Sequence, residues 1–137
     1  MIVSASNTSS AACIIYVKRT ATLFDDMHLV AMAQAEALKL HLPFAVVYCA
    51  VKPTPKVKEQ LMETERLLQA YGVPLIALVG DTKITLAAIV HHTKPKRIFY
   101  EEDSKMPNPT VSLKQHIHPW PGTVIGIEEL FALDNYC

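Results

Sequence analysis

The sequence predicts an α/β fold: one domain built on a doubly wound, five-stranded parallel sheet. Three observations point there. Apolar runs of strand length recur along the chain, amphipathic helical patterns fill the gaps between them, and the links are short. The runs are nearly continuous in apolar character, as strands buried on both faces of a parallel sheet require.

Residues 1–12, MIVSASNTSSAA, are small and polar without a basic region, which reads as a flexible lead-in rather than a secretory signal. The first strand is 14–17, IIYV, β-branched and aromatic. A helix over 26–40 follows, with Leu29, Met32, Ala33, Glu36 and Leu40 along one stripe. Asp25 and Asp26 are placed to cap its start, and Pro43 stops its continuation. The second strand is 44–51, FAVVYCAV. The next helix, 57–71, turns Leu61, Met62, Leu67 and Leu68 inward and ends at Gly72, which is free to take the left-handed conformation that closes a helix.

Residues 75–79 form the third strand. A third helix starts at Asp81 or Thr82, turns Leu86, Ile89 and Val90 inward and stops before Pro95. The fourth strand is 97–100. SKMPNP reads as a loop, and 110–116 as either a short helix or an irregular connector. TVIGI, 123–127, is the expected fifth strand, against which Trp120 packs between Pro119 and Pro121. Short links imply right-handed crossovers and a Rossmann-like sheet, with residues 13–137 as one domain undivided by any linker.

Composition narrows the function. Half of the 137 residues are apolar, so a folded core is expected, and 13 basic residues balance 13 acidic ones. Phosphate contacts supply most nucleic-acid affinity, so strong independent DNA binding is not implied. Three cysteines make no paired framework; Cys13 and Cys49 fall in expected strands, where a reduced thiol acts as a small apolar side chain. That usage suits the cytoplasm. No apolar run is long enough to span a membrane.

Ligands of open α/β sheets bind beyond the carboxyl ends of the strands, which directs attention to 18–24, 52–56, 80–81 and 101–105. Motif searches there are negative: no G-x-G-x-x-G, no G-x-x-x-x-G-K-[ST] and no G-x-S-x-G occurs. With four glycines in all, close backbone approach to a pyrophosphate has little support. His91 and His92, and His116 with His118, invite a metal reading. Without a carboxylate or thiolate at diagnostic spacing, they read as surface or helix-end histidines instead. The acidic run Glu101, Glu102 and Asp103 is either a solvated loop or a source of carboxylates for a heterocyclic ligand.

The order of these pieces resembles the antenna domain of the DNA photolyase and cryptochrome family. CIIYVKRTATLFDD matches that family's first strand, basic pair, polar turn and helix start, with Lys18 and Arg19 as the pair. QLMETERLLQAYGVPLIALVGD is similar to its second helix and third strand, ITLAAIVHHTKPKRIFYEED to its next helix and fourth strand, and TVIGIEEL to its last strand. AQAEAL and PFAVVYC lean toward the class II cyclobutane-dimer photolyases. The likeness runs from Cys13 to about Leu130. Where the family has Arg-Asp-x-Arg, this chain has Arg19, Thr20, Ala21 and Thr22, which removes an ion pair expected near the antenna cleft.

The resemblance implies an antenna-like module holding a folate, deazaflavin, FMN or other nucleotide-like ligand. Lys18 and Arg19 would meet a phosphate or glutamate tail, Tyr48 would stack, and Glu101 or Asp103 would anchor a ring nitrogen. The family holds FAD in a separate helical domain, so FAD is not expected here. Photorepair would then need a separate helical flavoprotein partner. The alternative is a structural or protein-interaction domain, such as a homodimer, that keeps the fold without the ligand.

Overall fold

A computed structural model describes residues 13–22, 26–52, 54–100 and 112–134. The expected lead-in, 1–12, lies outside them, as do Cys137 and the acidic run from Glu101. The elements run β1 (Ile14–Lys18), α1 (Met27–Leu40), β2 (Phe44–Ala50), α2 (Pro55–Gln69), β3 (Leu75–Val79), α3 (Thr82–Thr93), β4 (Arg97–Tyr100) and α4 (Ile127–Asp134). All strand pairs are parallel, in the order β3-β2-β1-β4.

The expected fifth strand is a correction. Among the described residues the sheet has four strands; 123–126 is irregular and Ile127 opens α4. Two features override the β-branched TVIGI. Glu128 and Glu129 sit in the first turn, where carboxylates favour a helix N-terminus. The Ile127 amide then donates to Glu65 Oε2 of α2 at 3.2 Å, which satisfies one of the orphan N–H groups of the new helix.

Side chains alternate across the sheet and build two unequal cores. On one face Ile14, Tyr16, Phe44, Val46 and Leu75 meet α1, α2 and α4 through Val30, Ala33, Leu61, Leu68 and Ile127. On the other, Cys13, Ile15 and Val47 form a smaller cluster covered by Ile89 of α3 and by Trp120. Trp120 therefore packs on this second face and not on a last strand. Of the helix faces expected from sequence, α2 keeps Leu61 and Leu68 buried. In α1 the buried residues are Val30, Ala31, Ala33, Gln34 and Ala37, while Met32 is 41% exposed. Small side chains let α1 lie close against β1 and β2, so the seam follows alanine rather than the longest apolar residues. In α3 Ile89 reaches the core while Leu86 and Val90 are half-buried.

Caps decide the ends. Thr54 accepts from the Val57 amide at 3.2 Å and Pro55 takes the first helical position, so α2 begins two residues earlier than its apolar pattern. Asp81 caps α3 through the Ile84 amide at 3.2 Å. His41 closes α1 in the left-handed region at φ 61°.

Gly72 ends the α2–β3 turn at φ +74°, and a Cβ there would lie 2.9 Å from the His116 carbonyl oxygen. That carbonyl belongs to an irregular segment, 112–118, which straps the bottom of the α1–α2 layer. Gly72→Ala is expected to cost at least about 1–2 kcal/mol from the left-handed backbone alone. Thermal melting checks this, and an unchanged melting temperature would contradict it.

Candidate functional site

At the carboxyl ends of the strands the chain reverses direction across the sheet: β2 and β3 lie on one side of β1, and β4 on the other. In open α/β sheets a ligand crevice is expected where strand order reverses, which here is between β1 and β4.

Lys18 is not a solvent-facing cation at that crevice. It closes β1 with its side chain fully buried, and Nζ meets Asp26 Oδ1 at 2.5 Å. Tyr16 donates its hydroxyl to the other carboxylate oxygen, Oδ2, at 3.0 Å. Asp26 sits at the N-cap of α1, yet its side chain makes no cap hydrogen bond. The cap expected of Asp26 is thus corrected, while Asp25 lies outside the described residues. An unpaired buried ammonium costs far more than an unsatisfied helix-end amide, so the carboxylate turns to Lys18. A buried ion pair stands here although the turn lacks the Asp and second Arg of the photolyase pattern. Next to it, Thr64 of α2 donates to the Ala21 carbonyl at 2.6 Å and pins the turn after β1.

Tyr48 is the ladder partner of Lys18 across β1 and β2 and is half-buried against the larger core. Burial holds its hydroxyl above the ordinary tyrosine range, with Cys49 contributing in the same direction. Lys18 and Tyr48 are therefore brought together, but in a packed layer under α1 and α2. Arg19 follows β1 at an exposed position. Glu101 and Asp103 lie outside the described residues. Among the described members of the expected set, only Arg19 stands where a solvent-borne anion can reach it.

The opposite face of the same strand ends is barer. Tyr100 pairs with Val17 and Ile98 with Ile15 on the α3 side of the sheet, and they are 60% and 36% exposed. α3 packs against β2 and β3. Aromatic and aliphatic surface over β4 is thus placed beside the crevice, with Arg19 two residues past Val17. Tyr100 was legible in sequence as a strand residue; its exposure depended on which strands α3 covers.

The histidines divide. His91 and His92 are exposed at the end of α3 with ring centroids 5.6 Å apart. His116 is buried, which a surface reading does not anticipate. It lies edge-on to His118, which in turn lies edge-on to His41, both at 5.7 Å between centroids. Among the described residues, no group of three or more His, Cys, Asp and Glu side chains is arranged to hold a metal ion. Burial pushes the Cys13 thiol up to about 11, so it stays protonated, its Sγ 3.7 Å from the Thr93 carbonyl oxygen. Among the described residues no helix is long and apolar enough to cross a membrane.

Comparison of the chain with protein-family models finds no match, and neither does comparison with characterised proteins.

Proposed function

We propose that this chain is a ligand-holding α/β module of the photolyase antenna type. It takes a flat, anionic heterocycle of the folate, deazaflavin or FMN class at the carboxyl ends of β1 and β4. One observation carries the reading: Tyr100 stands 60% exposed beside the point where strand order reverses, next to Val17 and near the exposed Arg19. An aromatic ring laid on Tyr100 and Val17 would direct an acidic tail toward Arg19. The strand order supports the same reading, since β3-β2-β1-β4 coincides with the first four positions of the doubly wound, Rossmann-like arrangement. In photorepair such a module would act with a separate helical flavoprotein, as the resemblance to the photolyase family implies. A protonated, buried Cys13 is compatible with a reducing cytoplasm.

Titrating the protein with FMN and folates, followed by near-UV and blue absorbance and by flavin fluorescence, tests this. Saturable binding is expected, weakened by about tenfold in Tyr100→Ala and by at least as much in Arg19→Ala. No uptake of any of these probes would overturn the reading, as would affinities indifferent to both substitutions.

A second reading draws on exposed apolar side chains of α3 and β4. Ile84 of α3 is 70% exposed and, with Ile98 and Tyr100, suits a protein-interaction domain. Absence of ligand uptake, together with a dimeric mass in sedimentation, would favour it.

A further inference from the structure

His116 is placed for a task that the ligand reading does not use. It is 7% exposed, on the strap 112–118 that holds the base of α1 and α2. Its Nε2 lies 3.2 Å from the Leu42 carbonyl oxygen. A carbonyl only accepts, so Nε2 carries the proton and Nδ1 holds a lone pair. That Nδ1 is buried and has no hydrogen-bond partner. Around the ring stand Phe44, with centroids 6.0 Å apart, and His118, which bridges to His41.

We propose that His116 is a proton-operated latch: a proton taken up at Nδ1 releases the strap from the α1–α2 layer. The new N–H would point into a buried position without an acceptor, and the cation would face rings instead of a counter-charge. Charged and titratable groups on the surrounding elements include Lys39 and His41 at the end of α1, Tyr71 after α2, and Lys114 and His118 on the strap. Of the carboxylates on those helices, Glu36 of α1 pairs with Arg97 at 3.3 Å, Glu63 of α2 pairs with Arg66 at 2.5 Å, Glu65 accepts from the Ile127 amide, and Glu59 is exposed. None of them is a hydrogen-bond partner of His116 Nδ1.

The release has a defined extent. The strap is held by Leu113 in the larger core, by Gln34 gripping the Lys114 backbone, and by the His116 amide donating to Tyr71 at 2.8 Å. It leads directly to Trp120 on the other face. Burial lowers the His116 pKa from the ordinary 6.5, against the opposing hydrogen bond to Leu42 and with a smaller electrostatic contribution from the neighbouring His118. The unfolded or released ring therefore binds a proton first. The attached state is fully favoured above the ordinary value, and loses ground as the pH falls below it until the buried ring itself is protonated.

The chain's single tryptophan makes the test direct. Emission and acrylamide quenching of Trp120 are followed from neutral to mildly acidic pH, with far-UV circular dichroism alongside. The expected result is a red-shifted, more quenchable emission with a midpoint below the ordinary imidazole value, while helix content is kept. His116→Gln, which can still donate to Leu42 but does not titrate, should abolish the transition, and His118→Gln should retain it. NMR titration of the His116 ring in the unaltered protein gives an independent reading if His116→Gln does not fold, with its midpoint expected to coincide with that of Trp120. A pH-independent emission, a transition that persists in His116→Gln, or loss of helix at the same midpoint would each overturn the latch.

Discussion

Replacing Asp26 with alanine is expected to destabilise the domain by about 3–5 kcal/mol, the penalty of leaving a buried ammonium without its partner. Lys18 has no exposed route for its charge: its side chain is fully buried, and Asp26 Oδ1 is its ion-pair partner at 2.5 Å. Tyr16 loses the same carboxylate as acceptor. The substitution also alters the N-cap of α1, but Asp26 makes no side-chain cap bond, so capping contributes little to the loss. The double variant Lys18→Met, Asp26→Leu separates the two explanations. It removes both charges and should recover much of the stability, less the lost Tyr16 hydrogen bond to Asp26, since a well-packed apolar pair often equals or exceeds a buried ion pair. Urea denaturation of the three proteins reads this as shifts of the midpoint at constant slope. A loss below about 1 kcal/mol in Asp26→Ala would show that the pair is solvated and that Lys18 is available to a ligand after all.

Gln34→Leu is the second large effect expected. Gln34 lies 1% exposed on the inner face of α1. Its amide makes a two-point grip on the strap: Nε2 donates to the Lys114 carbonyl at 2.6 Å, and Oε1 accepts from the Lys114 amide at 2.8 Å. Leucine nearly conserves the volume but abandons both backbone groups, at about 1–3 kcal/mol for each that stays buried. Two outcomes are then distinguishable. If the strap stays in place, stability falls by about 2–6 kcal/mol with Trp120 emission unchanged in the native state. If the strap detaches to hydrate Lys114, the loss is smaller, but Trp120 becomes quenchable at neutral pH. Neither change would mean that the strap is held by Leu113 and His116 alone.

The two sites illustrate how unevenly a sequence discloses its own chemistry. Lys18 and Arg19 stand adjacent in the chain and read as one basic pair. Alternation along the end of β1 sends one beneath α1 and leaves the other in solvent. Asp26 reads as a helix cap, and nothing local shows that a lysine eight residues earlier will claim its carboxylate. Gln34 falls on a stripe of alanines and valine, where a lone amide looks like an interruption. Its partner is a backbone 80 residues away. His116 and His118 invite a metal reading because of their spacing, whereas their third neighbour, His41, arrives from the end of α1.

Sequence alone determined the elements whose signals are local. The four strands from IIYV to RIFY are continuous apolar or β-branched runs, and three helices between them carry the periodicity and turn residues that start and stop a helix. Parallel pairing also followed, since short α-helical links permit little else. Tertiary structure alone decided the rest. TVIGI has the composition of a strand, but Glu65 from α2 meets the Ile127 amide, and a helix begins there instead. Which face of α1 is buried depended on how closely β1 and β2 could be approached. The state of each polar side chain depended on what the fold brought opposite it. Backbone preference acts over a few residues and is written in their order. Burial and pairing act across the sheet, between residues whose meeting no local pattern records.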